Sequence, residues 1–198
     1  MELRIDPEFE SKIPPLSAEE FRQLEENILS DGIVINPIIV WNGVIVDGHN
    51  RFHILEKHPH IQYSIHEKQF DDRFSVIAWI CKNQLGRRNL TPEQKKYLIG
   101  KQYEAEKSSH GGERGLSRNE KGHFTASGQN VHLRSKSKTS ERIATENGVN
   151  EKYVRRAERY AKGIDIADEV APGIRQEILN GSLKPCLLYT SPSPRDTE

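Results

Sequence analysis

Seven residues, Val46-Asp47-Gly48-His49-Asn50-Arg51-Phe52, constrain this chain more than any other stretch. Two short apolar runs precede them, Pro37 to Trp41 and Val44 to Val46, separated by Asn42-Gly43. Asn-Gly between apolar runs is a strong short-range hairpin signal. An amphipathic run with Ile54 and Leu55 follows. The order is therefore hairpin, sharp turn, helix start. Glycine at 48 lets a backbone come close to a ligand. A helix's first turn offers free N–H groups and partial positive charge, which suit phosphate. Arg51 adds a planar fork of donors. These are the parts of an anion site on a strand–turn–helix. The same residues also fit an ordinary Asp-Gly turn followed by a solvated arginine.

The 198 residues suffice for one domain or two small ones. At 34% hydrophobic and a mean hydropathy of −0.74, the chain is polar for a single globule. Its formal charge of zero conceals an asymmetry. Residues 1–31 hold nine acids and three bases, whereas residues 134–162 hold nine bases and four acids. A basic module of this kind points to nucleic acid. Cys81 and Cys186 lie far apart without metal-ligand spacing, as expected in a reducing cytoplasm. There is no signal-peptide pattern and no apolar run of membrane-spanning length, so no membrane partner is expected.

Residues 1–16, with Pro14-Pro15, read as an extended lead-in. Ser17 and Glu20 form a capping box for a helix that ends at Asp31-Gly32. A helix from about Gly48 to Lys57 stops before Pro59. Alternation over Ile61, Tyr63 and Ile65 predicts a half-exposed strand. A helix capped by Asp71 or Asp72 carries an apolar stripe that includes Cys81, which reads as core. Gly86-Arg87-Arg88-Asn89 breaks it, and Thr91-Pro92-Glu93-Gln94 starts another helix, ending near Ser108. Residues 108–138 are rich in Gly, Ser, Asn, His and Lys and read as a flexible linker.

From Thr139 the periodicity returns. Ile143-Ala144, Gly148-Val149, Val154 and Ala157 occupy the spacing of a helix-turn-helix, with Asn150 capping a second helix from Glu151 to roughly Lys162. Asn147 stands where an apolar residue is more usual. Lys152, Tyr153, Arg155, Arg156 and Arg159 would face outward, and with Thr139 and Ser140 they are the candidate contacts to double-stranded DNA. A basic but purely structural helical hairpin is the alternative. Residues 164–184 read as one more helical unit, starting at Pro172 and closed by Asn180-Gly181. The run Cys186 to Asp196 resembles the translated read of a transposase sequencing adapter, so residues 185–198 are expected to be non-native.

Together these segments resemble the ParB/sulfiredoxin-like domain followed by a ParB-type helix-turn-helix. The resemblance rests on Asp31-Gly32, Asn36-Pro37-Ile38-Ile39-Val40, Asp47-Gly48-His49-Asn50-Arg51 and Arg87-Arg88-Asn89-Leu90-Thr91-Pro92-Glu93. It looks closest to ParB-like proteins of plasmids, phages and mobile elements. It implies an α+β N-terminal domain over residues 1–107, a small sheet with packed helices, and an all-α DNA-binding domain over residues 139–184. It also implies a nucleotide site, CTP with Mg in the partition proteins. Carried over, that site comprises Gly32, Pro37, Gly48, His49, Asn50, Arg51, Arg87 and Arg88. A homodimer and a partition ATPase as partner are further implications. Two departures bear on chemistry. Asn83 and Gln84 replace an acidic residue and an asparagine, which weakens the case for hydrolysis. His49 stands where sulfiredoxins need a cysteine, so that chemistry is rejected. His49, His53, His58, His60 and His66 cluster in sequence without a recognised metal spacing. No catalytic residue and no metal ligand are assigned. The rival reading from another class is a nucleotide-hydrolysing or nuclease-like enzyme on the same fold; a domain that binds no nucleotide and only scaffolds the DNA module is the third.

Overall fold

Asn42 and Gly43 both take left-handed backbone, with φ of 50° and 75°. This is the conformation that a two-residue hairpin loop demands. They join β1 (Ile38–Trp41) to β2 (Val44–Asp47). The computed structural model describes residues 3–87, 89–110 and 138–184. Most of the segment read as a linker, Arg88 and residues 185–198 thus lie outside the described residues.

The sheet has three strands in the order β2-β1-β3, with β3 (Ile65–Glu67) parallel to β1. Ile39 pairs with Asp47 and Val40 with Ile45, so Val46 is the extra residue of a bulge. A bulge bends its strand. Here it lets consecutive residues pack into different cores: Ile45 joins Val40, Ile28 and Ile54, whereas Val46 joins Val76, Ile80 and Phe9. The chain then turns at Gly48 into α3 (His49–Lys57). The predicted strand over Ile61–Ile65 is shorter than its alternation suggested. Ile61 is buried outside any strand, Gln62 makes an isolated parallel bridge to Ile33, and the strand itself begins at Ile65.

The lead-in is not wholly extended. Residues 7–10 form α1 (Pro7–Glu10), capped by the Asp6 carboxylate, which accepts the Glu8 N–H at 2.9 Å. Phe9 is fully buried, and Arg73 of α4 (Arg73–Leu85) binds both Asp6 and Glu8. The acids of this segment therefore hold it to α4. Helix α2 (Ala18–Asp31) starts at the Ser17–Glu20 capping box and ends at Gly32, where φ is 68°. The reciprocal bonds of Thr91 and Gln94 start α5 (Pro92–His110). Cys81 is buried in α4, and desolvation pushes its thiol up to about 12.

Helix α5 packs against α4, and also against α6 (Thr139–Asn147), α7 (Glu151–Val170) and α8 (Ile174–Leu179). Its closest approach is at Gly100. A Cβ there would lie 2.1 Å from the Ala157 carbonyl oxygen. Helix α7 runs on to Val170 instead of stopping near Lys162. Ala161 and Ile164 on either side of Gly163 are buried with Tyr97 and Ile178, and that packing overrides the weak helix propensity of glycine. Helix α8 begins at Ile174, not Pro172. Asp168 Oδ1 caps it, accepting the N–H groups of Gly173 and Arg175 at 3.0 and 3.1 Å. Among the described residues, no helix is long and apolar enough to cross a membrane.

Gly100→Ala sets about 1 kcal/mol of helix propensity against an overpacking cost of about 1–3 kcal/mol. Because the obstacle is backbone, the overpacking cost should win. The expected outcome is a lower urea midpoint; a raised midpoint would show that α5 and α7 do not cross this closely.

Candidate functional site

Gly48 has φ 101° and ψ 18°, and its carbonyl accepts the Phe52 N–H at 2.9 Å. Among the described residues no side chain caps this end of α3. A Cβ at Gly48 would sit 3.0 Å from Arg51 Nη2. The arginine is folded back over the turn. Its Nη2 donates to Asp47 Oδ2 at 3.1 Å and to the Pro37 carbonyl at 3.2 Å.

A cleft of about 420 Å³ opens beside this turn. Asp47 to Arg51 form one wall, Gln23 and Asn27 of α2 form another, and Arg87 closes it. The structure thus brings together Gly48, His49, Asn50, Arg51 and Arg87. Gly32 and Pro37 do not line the cleft: Gly32 caps α2, and Pro37 contributes through its carbonyl bond to Arg51. Arg88 lies outside the described residues. Gln23 and Asn27 are additions that the sequence reading missed. Their spacing puts them on one helix face, and they bond to each other at 3.0 Å. Sequence periodicity reveals that shared face but not what it looks toward. Asn83 is exposed on α4, whereas Gln84 is buried and its Oε1 has no partner among the described residues.

Two histidines one turn apart on α3 have opposite surroundings. His49 is 2% exposed, and neither ring nitrogen has a partner among the described residues. Burial holds it below the usual histidine range, so the ring is neutral near pH 7. His53 has Glu10 at 2.8 Å on Nε2 and Glu56 at 3.1 Å on Nδ1, and the Glu10 bond leads in raising it above that range.

The second candidate surface is α6 to α7. Gly148 turns the chain with φ 64°, and the Asn150 side chain caps α7 by accepting the Tyr153 N–H at 2.7 Å. Ile143, Ala144, Val154 and Ala157 are buried together with Ile99 of α5. Asn147, placed where an apolar residue was expected, bonds its own helix through the Ile143 carbonyl at 2.9 Å. Lys152, Arg155, Arg156 and Arg159 are exposed on α7, with Arg155 paired to Glu151. Thr139 is half-buried at the start of α6. Ser140 is buried, and its hydroxyl donates to Glu151 at 2.7 Å. Tyr153 is half-buried against the small core and not fully outward.

Neither a protein-family description nor a curated protein matches this chain. A solved structure of a Pnob8-like ParB-N domain is similar to it, with a TM-score of 0.55 at 15% identity, over 90% of this chain and 85% of that one. The likeness supports a ParB-N-like α+β fold, with its three-stranded sheet and packed helices.

The two histidines should titrate on opposite sides of 6.5. His53, raised when folded, contributes stability that is complete below 6.5 and lost as pH rises through its folded value. His49, lowered when folded, contributes stability present above 6.5 and lost as pH falls through its folded value. Ring-nitrogen NMR across pH 4–9 (about the range where histidine titrates) checks this. Coincident titrations would refute the contrast.

Proposed function

We propose that this chain is a DNA-binding ParB-like protein of plasmid or phage partition, maintenance or regulation, and that its Gly48 cleft binds a nucleotide of the CTP type with Mg. The observation that carries the DNA reading is the two-sided character of α7. Val154, Ala157 and Ala161 are buried, while Lys152, Arg155, Arg156 and Arg159 are exposed on the same helix. A helix seated this way presents cations to phosphates and base edges in a major groove. The Gly148 turn and its apolar core support a helix-turn-helix.

The residues around Gly48 fit a phosphate chain. The first turn of α3 presents N–H groups that no side chain caps among the described residues, and two arginines line the cleft. Arg51 and Arg87 would hold phosphate oxygens, and Gln23 and Asn27 supply polar groups of the kind that orient a ligand. Among the described residues, no three His, Cys, Asp or Glu side chains gather to hold a metal. The metal would enter as the companion of the phosphates. The reading also carries the family's homodimer and a partition ATPase as partners.

Replacing Arg155, Arg156 and Arg159 together by Ala should remove most DNA affinity and flatten its dependence on salt, because three phosphate-neutralising charges are gone. Affinity and salt slope equal to the wild type would refute the α7 interface. Calorimetric titration with CTP and ATP, with and without Mg, tests the cleft separately. Saturable binding lost in Arg51→Ala is expected; no binding of either nucleotide would overturn the nucleotide reading and leave the DNA reading standing.

A further inference from the structure

On the far side of His49 and Asn50 lies a second cleft, of about 400 Å³. It is bounded by residues 10–15 of the lead-in, by Tyr97 of α5 and by Arg175 of α8. Lys12 lines it and is 5% exposed. Among the described residues its ammonium has no hydrogen-bond or ion-pair partner; the nearest recorded contact is the Tyr97 ring, 6.0 Å away. A lysine with so little exposure gives up most of its hydration, which is costly for an ammonium without a charge partner.

The surrounding acids make no bond to it among the described residues, although the Asp165 charge partly offsets its burial. Glu10 is turned to His53 at 2.8 Å. Asp168 pairs with Arg175 at 2.9 Å and caps α8. Asp165 accepts the Tyr97 hydroxyl at 2.7 Å and Lys101 at 3.0 Å. Lys101 and Arg175 add positive potential, and burial with that repulsion lowers the Lys12 affinity for its proton. The carboxylates are therefore engaged, and among the described residues the Lys12 ammonium has no acceptor oxygen. His49 lines the same cleft, and neither of its ring nitrogens, one of which carries a proton to donate, has a partner among the described residues.

We propose that this second cleft is a binding site for a small phosphate-class oxyanion, held by the Lys12 ammonium and the His49 ring. An oxyanion supplies what both groups lack, acceptor oxygens and, for Lys12, compensating charge. Lys12 comes from the lead-in, His49 from the start of α3, and Arg175 from the helix after α7. An occupant would tie the Gly48 turn to the C-terminal helices. The site lies across the His49–Asn50 wall from Arg51 and Arg87 and does not depend on the nucleotide reading.

The test uses the full chain labelled with ¹³C-lysine, the Lys12 Cε signal being identified by its loss in Lys12→Arg. Inorganic phosphate is titrated at constant ionic strength against chloride. The expected result is a saturable shift of the Lys12 signal that persists in Arg51→Ala and Arg87→Ala. In parallel, phosphate should raise the thermal midpoint of the wild type and not that of Lys12→Met. A linear drift, an equal response to chloride, or an equal thermal gain in Lys12→Met would overturn the proposal. So would loss of the shift in Arg51→Ala, which would make the response an extension of the Gly48 cleft. If Lys12→Met does not fold, the wild-type titration decides alone. A phosphate shift of Lys12 that is unchanged when CTP is present would support two separate sites; competition by CTP would overturn them.

Discussion

The rest of the structure depends on how closely α5 and α7 cross. At Gly100 the two backbones come within a distance that excludes even a methyl group. Helix α5 is also the partner of α4, whose Val76 and Ile80 pack on Val46 of β2. A continuous run of packed groups thus leads from the Gly48 turn, through β2, α4 and α5, to the basic side of α7. Close-packed interiors transmit displacement because they have little free volume to absorb it. The buried bonds from Tyr97 and Lys101 to Asp165 fix the rotation of α7 as well as its distance. Removing one partner of such a set leaves a buried polar group unsatisfied, which costs about 1–3 kcal/mol.

Local signals in the sequence locate most element ends. The capping pairs Ser17–Glu20 and Thr91–Gln94, the stops at Gly32 and Gly148, and the Asn150 cap all depend on residues within one turn of each other. What the sequence hides depends on distant partners. The acidic lead-in folds as α1 because Arg73, 67 residues from Asp6, draws its carboxylates in. Gly100 reads as a weak spot in a helix until Ala157 is set against it. Helix α7 passes through Gly163 because Tyr97 and Ile178 cover its neighbours.

The candidate site was legible to the same extent. Gly48, Asn50, Arg51 and Arg87, four of the residues singled out from the sequence, line one cleft. Gly32 and Pro37 act through the backbone: one ends α2, and the other lends a carbonyl to Arg51. Ser140 shows the opposite failure. A hydroxyl in the first turn of a helix looks like a phosphate contact, but here it donates its hydrogen bond to Glu151, eleven residues on. Burial of that kind cannot be read from residue type, because the partner arrives only when α6 and α7 pack.

The pairing of Arg51 with Asp47 engages the guanidinium before any phosphate arrives. It does not exhaust the donors. An arginine has five N–H donors, and the bonds to Asp47 and Pro37 both leave from Nη2. The Nε–H is buried without a partner among the described residues. Asp47 and Pro37 therefore fix the plane of the fork and leave donors on it available. An arginine oriented in advance loses less side-chain entropy on meeting an oxyanion than one free in solvent. On the nucleotide reading, Asp47 is then a positioning residue for Arg51.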